Sequence, residues 1–96
     1  MKHNTFHYIR FYNTQKWKLL KNLSNINRKI DCVKYNIKTC KDIIRYNKLR
    51  NKALLTIENE IEFYEDKLES YQHRKEITLR NIETMDICIN RYTSQY

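Results

Sequence analysis

Glycine and proline are both absent from this 96-residue chain, and alanine occurs only at Ala53. Without glycine the chain has no phosphate-cradling loop, no dinucleotide-binding fingerprint and no nucleophile elbow. Without proline or glycine, a long helix meets no strong breaker along the sequence. Lys, Asn, Ile and Tyr, which AT-only codons can encode, make up 43 of the 96 residues. This composition indicates an AT-rich genome.

Long apolar runs are also lacking. No stretch approaches the roughly 18 uncharged apolar residues of a membrane span, and the first residues lack the apolar core of a secretory signal. The chain has three cysteines, and on a helix Cys32 and Cys40 would lie about 12 Å apart, too far to bridge. We therefore expect an intracellular protein, in the cytoplasm or an organelle matrix, with reduced thiols and no membrane contact.

Apolar residues recur at alternating spacings of three and four in both halves of the chain. This rhythm is that of a coiled-coil seam, and it predicts an all-α fold of two long helices in an antiparallel hairpin. The first series is Ile9, Tyr12, Leu19, Leu23, Ile26, Ile30, Val33, Ile37, Cys40 and Ile44. The second is Leu54, Ile57, Ile61, Tyr64, Leu68, Tyr71, Ile82, Met85, Ile89 and Tyr92.

The two series lose phase near the middle of the chain, which predicts a turn there. We expect a single domain, 1–96, with helix 1 over about 5–47, a turn over about 47–52 and helix 2 over about 51–94. Asn47 is expected to end the first helix in a left-handed conformation, and Asn51 to cap the second.

The predicted hairpin pairs seam residues whose numbers sum to 101. Its layers include Cys40 with Ile61, Ile30 with Tyr71 and Ile9 with Tyr92, and three mixed layers combine Ile26 with Lys75, Leu23 with Thr78 and Lys16 with Met85. At flanking positions Lys41 would face Glu58 and Lys34 would face Glu65. Because opposite charges meet in this arrangement, the antiparallel orientation is favoured over a parallel dimer.

Positive charge is concentrated away from the turn. The chain carries a formal charge of +8, residues 30–71 are neutral, and residues 1–29 contain no acid. Cations interleaved with exposed aromatic rings are typical of surfaces that bind nucleic acid. The predicted phosphate contacts are Arg10, Lys18, Lys21, Arg28, Arg80 and Arg91.

Large apolar residues outside the seam support a second interpretation. Such residues more often pack against another helix than stack on bases, so the hairpin would form a homodimer or join a larger complex. The partner could be an assembly in which this chain is an accessory or scaffold subunit. It could also be a host protein, inhibited by this chain as a viral or mobile-element regulator. The predicted partner contacts are Phe11, Trp17, Ile77 and Ile87.

No constellation for catalysis is evident. His3 and His7 have a spacing that can share a metal on a helix, but no acidic or thiol ligand lies beside them in sequence. The carboxylates between 58 and 69 scatter around a helix surface. We expect a protein that is not an enzyme, with no catalytic residue, cofactor, metal or small-molecule substrate.

Two functional hypotheses follow. The first is a helical-hairpin protein whose basic, aromatic-bearing open end binds RNA, DNA or a ribonucleoprotein with low sequence specificity. The second is a protein-interaction module whose basic residues steer it to an acidic protein surface. Codon bias can also account for part of the lysine excess, so the charge by itself does not choose between them.

Overall fold

The fold is an all-α helical hairpin, as the seam predicts. The computed structural model describes residues 2–94, with side chains from residue 5 onward. Helix α1 is Lys2–Tyr46 and helix α2 is Asn51–Thr93, and the described residues contain no strand. The first helix begins earlier than expected and ends one residue sooner, so the connection is only the four residues 47–50.

The turn uses its two asparagines differently from the prediction. Both the backbone N–H and the side-chain amide of Asn47 donate to the carbonyl of Ile43, each at 3.0 Å, which closes the end of α1. Among the described residues, only Asn51 has a positive φ, 54°. The residue in the left-handed conformation is therefore Asn51, and the prediction that Asn47 adopts this conformation is wrong. Asparagine tolerates this conformation better than most residues do, so it can replace the missing glycine.

Contacts within the hairpin fall into two groups. The turn unit is Ile26–Arg74, and the terminal unit consists of residues 2–25 and 75–94. The single domain proposed for 1–96 stays a prediction.

The turn unit contains the buried apolar core. Its members lie at the predicted seam positions of α1, and the facing α2 residues are half-buried. The buried residues are Ile26, Ile30, Val33, Ile37 and Cys40. Across the helices, the Cys40 Sγ lies 3.8 Å from Glu60 Oε2, and the Lys29 Nζ lies 5.8 Å from the centroid of the Tyr71 ring. Both contacts lie within one residue of a predicted layer, which confirms the seam here.

The terminal unit is packed by mixed chemistry. Its only buried described residue is Thr78, one of the predicted mixed-layer positions, whereas the apolar seam residues beside it are half-buried. The rings of Tyr8 and Tyr92 stack with centroids 5.2 Å apart. Lys16 Nζ pairs with Asp86 Oδ1 at 2.6 Å, one residue from the predicted Lys16–Met85 layer. Aromatic stacking and an ion pair therefore supplement apolar burial in this unit.

The charge pairs used to choose the orientation do not form. No ion pair joins Lys41 to Glu58 or Lys34 to Glu65, and all four side chains are exposed to solvent. The expectation of direct pairing was wrong for both. Exposed pairs contribute only about 0–1 kcal/mol each, so solvation of the separate charges costs the hairpin little.

Candidate functional site

An aromatic groove lies along α1 in the terminal unit. Phe6 and Trp17 are eleven residues apart, about three helical turns, so their side chains lie on one face. The two residues are 65% and 62% exposed. Between them is a groove of about 440 Å³, lined also by Ile9, Arg10, Asn13 and Thr14. Two large rings thus face solvent on either side of an arginine.

Arg10 is the only charged residue among those that line the groove. The Thr14 hydroxyl donates to the carbonyl of Arg10 at 3.0 Å, one turn back along the helix. This bond satisfies the hydroxyl on its own backbone, as is common for threonine within helices. The Arg10 side chain is exposed, so its guanidinium can donate several hydrogen bonds to an anion.

A lysine accompanies the exposed indole. The Lys21 Nζ lies 5.3 Å from the centroid of the Trp17 ring, one helical turn away. A cation over an aromatic face contributes about 0.5–1 kcal/mol at an exposed site. The contact holds the ammonium beside the ring instead of leaving it to sample open solvent. A base on the indole and its neighbouring phosphate could then be contacted together.

The six predicted phosphate contacts are all exposed, but they belong to different units. Arg10, Lys18 and Lys21 lie on α1 in the terminal unit, where α2 carries Arg80 and Arg91. Arg28 belongs instead to the turn unit. Of the six, Arg10 lines the aromatic groove and Lys21 contacts the Trp17 ring. Among the six predicted phosphate contacts, these two are the ones associated with the exposed ring of Trp17.

The four predicted partner contacts are exposed as well. Phe11, Trp17, Ile77 and Ile87 are 50%, 62%, 43% and 55% exposed, so the hairpin does not cover them itself. Only Trp17 lines the groove. Sequence reasoning placed Phe6 near the cationic face but did not predict it as a contact, although its spacing of eleven residues from Trp17 was the available signal. The observed groove therefore combines Arg10 and Trp17, one predicted contact from each hypothesis, with Phe6.

Electrostatics favours anions at the terminal unit. Its residues include eight Lys or Arg and three acids, a balance of +5. One of these acids, Asp86, is neutralised by Lys16 at 2.6 Å. On the α1 side of this unit there is no acid at all. The field around the groove is therefore positive.

A tyrosine cluster lies across the helices in the same unit. Tyr92 stacks on both Tyr8 and Tyr12, with centroid distances of 5.2 and 5.9 Å. Desolvation in this cluster raises the pKa of Tyr12, and the neighbouring Cys88 and Tyr92 raise the pKa further. A phenol with a raised pKa stays neutral at physiological pH and adds no negative charge near the cationic face.

The thiols and histidines form no catalytic arrangement among the described residues. Cys32, Cys40 and Cys88 are free thiols, and burial raises the pKa of Cys40, with a further contribution from Glu60. A raised pKa disfavours the nucleophilic thiolate. Within the described residues, no three His, Cys, Asp or Glu side chains converge on a possible metal position. The side chain of His3 lies outside the described part of the chain.

Neither described helix has a stretch long and apolar enough to cross a bilayer. Comparisons with protein-family models, with curated proteins and with solved structures found no match. The assignment of a function therefore rests on the chain's own residues.

Proposed function

We propose that this protein is a non-enzymatic binding protein whose terminal unit engages nucleic acid through phosphate and base stacking. One observation carries the proposal: an exposed tryptophan, Trp17, has the Lys21 ammonium over its ring and shares a groove with Arg10 and Phe6. Ring faces for bases and cations for phosphates thus occur together on one face of α1.

The chemistry favours an unpaired strand. Stacking on Trp17 needs a base whose face is accessible, which a single strand supplies and a duplex hides. Arg10, Lys18 and Lys21 would release counterions from the backbone on binding, so affinity should fall steeply with salt. Because phosphate contacts carry no sequence information, the protein should bind with low sequence specificity. Such a role suits the cytoplasm or an organelle matrix, where thiols remain reduced.

The test is fluorescence anisotropy with a labelled single-stranded RNA and a DNA duplex, titrated across salt. A double variant that carries both Lys18→Glu and Lys21→Glu should bind RNA at least about tenfold more weakly, because two charge-assisted contacts become repulsive. The matched control is Lys38→Glu with Lys41→Glu. These lysines are also exposed on α1 and spaced by three residues, but they lie in the turn unit. The control variant should lose much less affinity.

The single tryptophan provides a second readout. Trp17 is the only tryptophan in the chain, so RNA stacked on it should quench the intrinsic fluorescence directly. Trp17→Ala should weaken binding about 5- to 150-fold, since base stacking contributes roughly 1–3 kcal/mol. Tyr35→Ala, which removes an exposed ring from the turn unit, serves as the control. The proposal would be overturned if the two double-lysine variants lost equal RNA affinity and RNA did not quench Trp17 fluorescence. That result would show that net charge alone drives binding.

A second candidate function is a protein-interaction module. The observation that favours it is the exposure of Phe11, Trp17, Ile77 and Ile87 in the terminal unit, where apolar burial is already incomplete. A second copy of the chain, as a homodimer, or an acidic protein surface would cover these side chains. In this function the cations accelerate association with the partner, and the apolar residues supply the affinity.

A further inference from the structure

A second groove, in the turn unit, is lined by cations from both helices. It has a volume of about 210 Å³, and its lining includes Arg28, Lys29 and Asn36 from α1 with Tyr64, Lys67 and Tyr71 from α2. No lining residue is acidic. The volume is several times the roughly 30 Å³ that one water molecule occupies in the liquid, so a multi-atom anion has room to enter.

The charge excess of the turn unit is located at this groove. The unit holds eleven Lys or Arg and eight acids, a balance of +3, whereas residues 30–71 alone are neutral. The entire excess therefore comes from Arg28, Lys29 and Arg74. Arg28 and Lys29 line the groove. The Arg74 guanidinium lies over the ring of Tyr71, which also lines it. The three cations that give the unit its net charge thus lie at or beside the groove.

Lys29, Lys67 and Arg74 each contact an aromatic ring. The Lys29 Nζ and the Arg74 guanidinium carbon each lie 5.8 Å from the centroid of the Tyr71 ring. On the same helix, the Lys67 Nζ lies 4.7 Å from the centroid of the Phe63 ring. Cation–π contacts reduce the freedom of long side chains, so less entropy is lost when they bind an anion.

We infer that this groove is an anion site for a compact ligand bearing a diphosphate group. Lys29, Lys67 and Arg28 would bind the phosphate oxygens, and the Asn36 amide adds a neutral donor from the groove wall. One diphosphate carries enough negative charge to engage three cations at once. The shared chemistry is that of free pyrophosphate and of nucleoside diphosphates. The inference goes beyond nucleic-acid binding at the terminal unit and involves none of the residues of the aromatic groove.

The test is isothermal titration calorimetry of the full chain with inorganic pyrophosphate. Lys29→Gln and Lys67→Gln should each weaken pyrophosphate binding about tenfold, the loss expected for one charge-assisted contact. Lys34→Gln is the matched control, because Lys34 is an exposed α1 lysine of the same unit outside the groove. The Lys34→Gln variant should bind pyrophosphate with the same affinity as the natural chain. Circular dichroism of each variant checks that helicity is unchanged, as expected for exposed positions.

Two further arms separate the alternatives. Tighter binding of ADP than of pyrophosphate assigns the site to nucleotides, and equal binding assigns it to the phosphates alone; both support an anion site. Trp17→Ala should leave pyrophosphate binding unchanged, so failure of nucleic-acid binding and failure of this site are distinguishable. Absence of pyrophosphate binding to the natural chain, or equal weakening by Lys29→Gln and Lys34→Gln, would overturn the inference.

Discussion

At the scale of single residues, Cys40 shows how the seam sets the chemistry of one side chain. The sequence places this thiol at an apolar seam position, and it is buried there, with Sγ 3.8 Å from Glu60 Oε2. Burial removes the solvation that a thiolate needs, and the Glu60 carboxylate disfavours a second negative charge beside it, so the pKa of Cys40 is raised. The residue therefore acts as a small apolar side chain that donates a weak hydrogen bond.

The raised pKa of Cys40 predicts how stability depends on pH. Below the unfolded-state pKa, about 8.5, the thiol is protonated in both states and its contribution to stability is intact. As the pH rises above that value, the unfolded chain loses the proton first, so the free energy of unfolding falls until the pH passes the folded-state pKa. Urea unfolding under a reducing agent should show that the natural chain loses stability relative to Cys40→Val across this alkaline range. A difference that stays constant with pH would contradict the prediction.

At the scale of the helices, periodic features were predictable and geometric details were not. The seam follows from spacing alone, since every residue from Ile9 to Ile44 in the first series is buried or half-buried. The left-handed residue could not be assigned, because two asparagines flank the connection and either can adopt a positive φ. The turn-unit groove was missed because Arg28 and Lys67 are distant in sequence. Of the cations that line this groove, only Arg28 was predicted as a phosphate contact.

The two isoleucines Ile30 and Ile87 test the unequal burial along the helices. Ile30 is buried in the turn unit, whereas Ile87 is 55% exposed in the terminal unit. Ile30→Val should lower the free energy of unfolding by about 0.5–1.5 kcal/mol, because it removes a buried methyl group that neighbours cannot fully replace. The same change at Ile87 should stay within about 0.5 kcal/mol. Urea denaturation measures both, and equal effects would contradict the assignment of the core to the turn unit.

At the scale of the whole molecule, exposed apolar side chains and net charge act in opposite directions on association. Trp17 and Phe11 are 62% and 50% exposed, which favours self-association through apolar contact. The charge of +8 opposes it, because two copies repel each other in water.

Salt should therefore separate self-association from nucleic-acid binding. Between about 0.1 M and about 1 M NaCl the Debye length falls from roughly 10 Å to roughly 3 Å. Screening weakens the repulsion between copies, so sedimentation equilibrium should show more dimer at high salt. The same salt should weaken RNA binding, because counterions released into a more concentrated salt solution gain less entropy. Trp17→Ala, which removes an exposed aromatic ring of the terminal unit, should reduce the dimer at every salt concentration. A monomer at all concentrations and salts would exclude the second copy as the partner that covers the terminal unit, leaving nucleic acid or another protein.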